Sequence, residues 1–143
     1  MKTSIKQKIE HLLDYAELRR TAPRTSILAV LLGTGKPLTA KQIAAKLGPA
    51  GPDKVTIYRT LESFVKAGLV HKAFLQKRTW HFELAHNCSK SQCHPHFTCT
   101  DCGETVCLTE IELPMAKSPH KGLIIRRQRV QLEGLCSRCN PKT

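Results

Sequence analysis

Two Cys-x-x-Cys pairs constrain this chain more than any other feature of its sequence. The first pair is Cys99 and Cys102, the second is Cys136 and Cys139, and 33 residues separate them. A two-residue gap lets two thiolates reach one ion from a tight turn, and two such turns complete a closed tetrahedral shell. Gly103 directly follows the first pair and supplies the backbone freedom that such a turn often needs. The spacing therefore predicts a structural Zn²⁺ site.

The cysteines are confined to the second part of the chain. All seven lie between Cys88 and Cys139, and an odd number excludes a complete set of internal disulfides. The N-terminal residues show no apolar stretch typical of a signal peptide, and no apolar run approaches the roughly 18 residues that cross a bilayer. We therefore expect a cytoplasmic protein whose cysteine pairs bind metal, with redox dithiols as the alternative interpretation.

Positive charge is concentrated in the first half of the chain. The net charge is +12, and residues 1–78 hold 15 Lys and Arg against 5 Asp and Glu. Residues 79–143 hold 8 against 6. Because a basic surface attracts polyanions, this half indicates a nucleic-acid partner, although basic proteins are common.

The basic half has the pattern of several short helices followed by a hairpin. Apolar residues recur at helical spacing over residues 4–19, 23–33 and 40–47, and in a stretch that follows Asp53. Thr39 and Asp53 are the predicted N-caps of the last two helices. Residues 69–75 and 78–84 alternate apolar and polar around a polar turn. This order is typical of a winged helix-turn-helix, and any small helical domain with a terminal hairpin is the alternative.

The second half shows weaker patterns. Residues 97–108 alternate around the first cysteine pair, residues 109–118 suggest a short helix that Pro114 weakens, and residues 122–133 suggest a strand. Such a region of some 60 residues has too little core of its own, so bound metal would contribute to its folding.

A second group of possible ligands surrounds the first cysteine pair. His94 and His96 lie just ahead of it, and the other candidates are His71, Glu83, His86, Cys88, Cys93 and Cys107. Imidazole and thiolate ligands with one carboxylate suit zinc better than a hard cation. A site built from separate segments binds its metal reversibly, because those segments can move apart. His11, His81 and His120 are interpreted as ordinary surface histidines.

Several motifs in this order resemble the ferric-uptake-regulator (Fur) family. Val55 to Leu61, followed by Ala67 to Val70, resembles the recognition helix of that family, and Thr21-x-x-Arg24 resembles its second helix. The run from His94 to Gly103 is similar to its metal signature. Cys136 and Cys139 are similar to its closing cysteines. The resemblance covers nearly the whole chain.

The resemblance implies a homodimer with an α+β fold. Each subunit would have a winged helix-turn-helix DNA-binding domain over residues 1–84. A small α/β dimerisation domain with the Cys₄ zinc site would follow over residues 85–143, with a regulatory metal at the hinge. Glu83, His94 and His96 match hinge-site ligands of the family. The implied DNA-binding residues are Arg19, Arg20, Arg24, Thr56, Tyr58 and Arg59. Among these, Tyr58 would touch bases, Arg59 a phosphate, and Arg19 or Arg20 the minor groove.

Departures from the family pattern bear on which metal is sensed. Pro95 stands where an aspartate is usual, Cys107 replaces an acidic residue, and Gln128 replaces a histidine. His71 matches a ligand of the zinc-uptake-regulator (Zur) branch. These changes favour a repressor of metal-uptake genes with zinc as corepressor. An iron- or peroxide-responsive regulator of the same family is the alternative, and a thiol redox response of Cys88 and Cys93 stays open.

Two other classes of protein fit less well. A zinc-dependent nucleic-acid deaminase needs a glutamate in a His-x-Glu motif and an open metal position, and neither is evident here. A structural adaptor leaves the basic first half unexplained. We therefore predict that the protein is not an enzyme.

Overall fold

The chain forms two compact units. The computed structural model describes residues 4–85, 94–117 and 120–141. The first unit is Met1–His86 and the second is Asn87–Thr143, whereas the predicted domains divide between residues 84 and 85. The roles of the two parts in DNA binding and dimerisation stay predictions.

The described residues of the first unit form four helices. These are α1 (Ile5–Tyr15), α2 (Ala22–Thr34), α3 (Ala40–Leu47) and α4 (Lys54–Lys66). Ser4, Thr39 and Asp53 each accept a hydrogen bond from the backbone N–H three residues further on. Each bond satisfies a donor that the start of a helix leaves open. The predicted caps at Thr39 and Asp53 are therefore confirmed.

The first helix is shorter than predicted. It ends at Tyr15 and not at residue 19, because Glu17 adopts a left-handed backbone with φ of 58°. The Leu18 N–H then donates to the Leu13 carbonyl at 2.8 Å, which is the Schellman arrangement for ending a helix. The second helix begins at Ala22, one residue before the predicted range of 23–33, and Pro23 takes its second position.

A hairpin completes the first unit. Strands β1 (Val70–Gln76) and β2 (Thr79–Leu84) pair antiparallel across a two-residue turn, Lys77 and Arg78. Leu38 adds a short bridge to Phe82, with reciprocal hydrogen bonds of 2.9 and 2.7 Å. Helices followed by this hairpin make the winged helix-turn-helix that the sequence predicted, within an α+β fold.

One apolar core joins these elements and fixes the orientation of α4. Its most buried side chains are Leu13, Ile27, Leu28, Ile43, Ile57, Leu61 and Phe64. Burying a side chain of this size stabilises the fold by roughly 1.5–3 kcal/mol. Because Ile57, Leu61 and Phe64 point into the core, the opposite face of α4 is left to solvent.

The described residues of the second unit contain three short strands. These are β3 (His96–Cys99), β4 (Thr105–Cys107) and β5 (Gln131–Gly134), in the order β4-β3-β5. Strand β3 pairs antiparallel with β4 and parallel with β5.

One prediction for the second unit was wrong, and another was right only at its end. No helix forms over the described residues 109–117, and Pro114 accounts for this since it removes a helical donor. The strand predicted over 122–133 begins only at Gln131, where pairing with β3 starts. Among the described helices, none is long and apolar enough to cross a membrane.

Candidate metal centres and DNA-binding surface

Four thiols converge in the second unit. The Sγ atoms of Cys99, Cys102, Cys136 and Cys139 all lie within 4.8 Å of one another. The Sγ atoms of Cys102 and Cys136 are 3.7 Å apart. A tetrahedral zinc ion with bonds of about 2.3 Å holds its sulfur ligands about 3.8 Å apart. The cluster therefore fits a structural zinc ion.

Strand pairing brings the two cysteine pairs together. Cys99 ends β3 and lies in register with Gly134, the last residue of β5. The Thr100 N–H donates to the Gly134 carbonyl at 2.8 Å, which continues the pairing into the first turn. Gly103 closes that turn with φ of 78° and a bond to the Cys99 carbonyl. Cys136 follows β5 by two residues, so both turns lie at the same end of the sheet.

Backbone donors prepare the thiols for metal binding. The N–H groups of Cys102 and Cys136 lower the pKa of the Cys99 thiol to about 6, and the Cys136 N–H lies 3.4 Å from its sulfur. The Cys139 backbone N–H lowers the pKa of Cys136 in the same way. The pKa of Cys139 is raised, chiefly by its hydrogen bond with the Cys136 thiol. A bound cation would favour the thiolate at all four positions.

An ion pair that sequence reasoning missed joins the two turns. Arg138 lies inside the second cysteine pair, and its Nη2 donates to Oε2 of Glu104, which follows the first turn. The Glu104 carbonyl also accepts from the Cys99 N–H at 2.8 Å. The signal available in the sequence was an opposite charge next to each pair. The Arg138–Glu104 ion pair therefore connects the two turns directly, without a metal ion.

Three predicted regulatory ligands meet in the second unit. His94, His96 and Cys107 offer ligand atoms within 4.8 Å of one another. His96 and Cys107 are cross-strand partners on β3 and β4, and the rings of His94 and His96 lie 5.3 Å apart. His96 is buried, whereas His94 and Cys107 are half-buried. Two imidazoles and a thiol so arranged can bind one divalent ion.

Two more predicted ligands pair within the first unit. His71 and Glu83 are directly opposite on the hairpin, with 2.6 Å between Nε2 and Oε1. Both side chains are buried. A histidine bonded to a carboxylate is a common support of metal sites, because it fixes the orientation of both groups. His86, Cys88 and Cys93 lie outside the described residues.

Two of the predicted DNA-binding residues, Tyr58 and Arg59, lie on the solvent face of α4. Tyr58 is half exposed and Arg59 is exposed, while Thr56 is half-buried beside its cap Asp53. The Thr56 hydroxyl and N–H hold the pKa of the Asp53 carboxyl below its usual value. The capped start of α4 thus presents Tyr58 and Arg59 to solvent.

The predicted DNA-binding arginines just before and at the start of α2 are held in different ways. Arg20 donates to both carboxylate oxygens of Asp14, at 2.6 and 3.2 Å, and lies 3.5 Å from Glu10. Arg24 donates to the carbonyl of Arg19 at 3.0 Å. Since two carboxylates surround the Arg20 guanidinium, Arg19 is the better candidate for a DNA contact.

Comparisons with known proteins define the class. Residues 15–132 match the family model described as the Ferric uptake regulator family. A "Ferric uptake regulation protein" of Campylobacter upsaliensis is 28% identical over an alignment of 148 residues, gaps included. The alignment covers 96% of this chain and 90% of that protein. These matches define a transcription regulator, as predicted, and not an enzyme.

Solved structures share the fold. The ferric uptake regulator of Vibrio cholerae superposes with a TM-score of 0.64 at 24% identity, covering 89% of this chain and 98% of that one. A zinc uptake regulator complexed with zinc and DNA gives 0.67 at 20% identity, covering 96% of each chain. The chain belongs to the ferric uptake regulator family of metal-responsive, DNA-binding regulators.

Proposed function

We propose that this protein is a homodimeric repressor that binds operator DNA when zinc occupies its regulatory site. A second, structural zinc would stay bound to Cys99, Cys102, Cys136 and Cys139. The observation that carries the choice of metal is the ligand set of His94, His96 and Cys107, whose ligand atoms lie together in the second unit.

The chemistry of that set favours zinc over iron or manganese. It offers two nitrogen donors and one sulfur donor, and Zn²⁺ accepts such ligands in a four-coordinate shell. Affinity at a given site also rises from manganese and iron to zinc. The sequence alone offers Glu83, His71, Cys88 and Cys93 as the candidates for a fourth ligand.

The residues that depart from the family pattern support the same choice. Pro95 has no side-chain donor for a metal, and its carbonyl accepts from the Leu108 N–H at 2.9 Å. The Gln128 amide bonds to the backbone of Pro114 and Ala116, at 3.1 and 2.8 Å. Neither position therefore supplies the harder ligand that iron or manganese would favour.

Exposed apolar side chains in the second unit support a dimer. Those of the described residues include Val106, Leu123, Ile124, Ile125, Leu132 and Leu135. Ile124 leaves 76% of its surface exposed. Large apolar side chains left in water favour association with a partner, and a second copy of the chain is the partner that the family implies.

The test is an operator-binding titration at buffered free concentrations of zinc, iron and manganese. His94→Ala and His96→Ala are expected to lose zinc-dependent binding while each subunit retains one tightly bound zinc. His120→Ala changes an exposed histidine of the same unit and serves as the matched control. Activation by iron or manganese at a lower free concentration than zinc would replace the zinc sensor with an iron- or manganese-responsive regulator.

A further inference from the structure

The solvent face of α4 carries an aliphatic side chain that the core does not use. Within Lys54–Lys66, Ile57, Leu61 and Phe64 are buried, whereas Val55 leaves 54% of its surface exposed. Tyr58 is the next residue on that face, one helical turn later, and is 51% exposed. The two side chains make a small apolar patch on an otherwise polar surface.

The position of this patch matches the part of a recognition helix that meets the bases. Val55 is the second residue of α4, and residues near the N-terminus of such a helix contact base edges in the major groove. Lys54 and Arg59 lie on either side of it and are exposed. Their charges attract phosphates and would bring the patch toward the groove.

The chemical groups that line the major groove determine which of them an aliphatic side chain can contact favourably. Base edges in the major groove are lined with hydrogen-bond donors and acceptors, and the C5-methyl group of thymine is the apolar exception. A valine has no polar atom in its side chain, so it gains by contacting that methyl group and loses by covering a polar edge.

We propose that Val55 is a specificity residue that contacts a thymine methyl group and so selects an A·T pair at one operator position. This inference rests on the proposed role of α4 in operator binding.

The test uses DNA that lacks only the methyl group. An operator is first selected from a random-sequence duplex pool with metal-loaded wild-type protein. Each thymine is then replaced in turn by deoxyuridine, and the dissociation constants of wild type, Val55→Ala and Val55→Thr are measured. We expect one uridine to weaken wild-type binding by roughly three- to five-fold, as the loss of a buried methyl contact predicts.

The variants separate a methyl contact from a general loss of affinity. Val55→Ala should bind the thymine operator about as weakly as wild type binds the uridine operator, and that uridine should not weaken it further. Val55→Thr should show a response to the uridine between those of wild type and Val55→Ala. Alanine is a strong helix former, so α4 should stay folded. Ile5→Ala, which also changes an aliphatic residue that is 54% exposed, should keep the uridine response of wild type.

The outcomes distinguish this inference from the function on which it rests. If Val55→Ala stays as sensitive as wild type at every thymine, or if no thymine responds, the contact does not exist. If the metal-loaded wild type enriches no sequence from the pool, operator binding itself fails and the inference fails with it.

Discussion

Arg138 lies inside the second cysteine pair and interacts with the cysteine cluster. Its pKa is raised, first by the hydrogen bond to Glu104 and also by the thiols of Cys136 and Cys102. Four thiolates around one Zn²⁺ leave a net negative charge, so a nearby guanidinium stabilises the loaded site. Because the Arg138–Glu104 ion pair links the two turns, we expect it to oppose their separation and so to slow release of a bound ion.

We therefore expect Arg138→Gln and Glu104→Gln each to release zinc faster. An exposed ion pair contributes modestly, so a two- to five-fold rate increase is a rough expectation. The measurement is transfer of zinc to a chromogenic chelator after rapid mixing. The double variant should be no faster than the faster single variant, because both changes break one contact.

Glu62→Gln is the matched control for this experiment. It removes an ion pair of similar type, with Lys72 in the first unit at 3.4 Å, and should leave zinc release unchanged. Rates that multiply in the double variant would show that Arg138 and Glu104 act separately.

At the scale of elements, the turn of the hairpin is locally strained. Lys77 and Arg78 adopt φ values of 49° and 62°, as a two-residue type I′ turn requires. Asn and Gly are the residues that adopt such values easily, and lysine and arginine do so at a cost. Two cations held at strained positions at the tip of a hairpin suggest that their charge serves binding.

Replacing Lys77 with Asn and Arg78 with Gly should separate stability from binding. The free energy of unfolding should rise on the order of 1 kcal/mol, because the turn strain is relieved. Operator affinity should fall, since two positive charges are lost. Urea unfolding and a DNA titration measure the two effects.

The change of both residues to Gln provides the control, because it removes the charges and keeps the strain. Its stability should match that of wild type while its DNA affinity falls equally. A double Asn-Gly variant that is less stable than wild type would contradict the assignment of strain.

Local chemistry explains which elements the sequence predicts. The caps of α3 and α4 depend on a side chain and an N–H three residues apart, so short-range patterns reveal them. The cysteine pairs are equally local, and their spacing alone indicated the cluster. By contrast, β5 pairs with β3, more than 30 residues away, and Arg138 reaches Glu104 across 34 residues. Such partners cannot be deduced from periodicity.

For the whole molecule, the two units differ in what holds them together. The first has a contiguous apolar core that includes residues from all four helices and the hairpin. Within the described residues of the second, Cys99 and Pro95 are buried, but many large aliphatic side chains are exposed. We therefore expect the second unit to depend on metal at the cysteine cluster and on the proposed dimer surface.

Loss of the structural metal should consequently unfold one unit and spare the other. Cys102→Ser is expected to lose one zinc per subunit and the hydrogen-exchange protection of β3 and β5. The helical circular dichroism signal should persist, since the described helices all belong to the first unit. Cys107→Ser, which lies outside the four-cysteine cluster, should keep that zinc and that protection. Equal loss of protection in both units after Cys102→Ser would show that they fold as one.

The parallel pairing of β3 with β5 places the two cysteine pairs, which are far apart in the chain, at one metal site. An ion there closes the intervening chain into a loop, much as a covalent crosslink would, and opposes its opening. While free zinc is well above its dissociation constant, each tenfold fall in its concentration lowers the free energy of unfolding of the second unit by about 1.4 kcal/mol. Proteases cut chains that open, so we expect cellular zinc to set the lifetime of this regulator, in addition to the proposed control of its DNA binding.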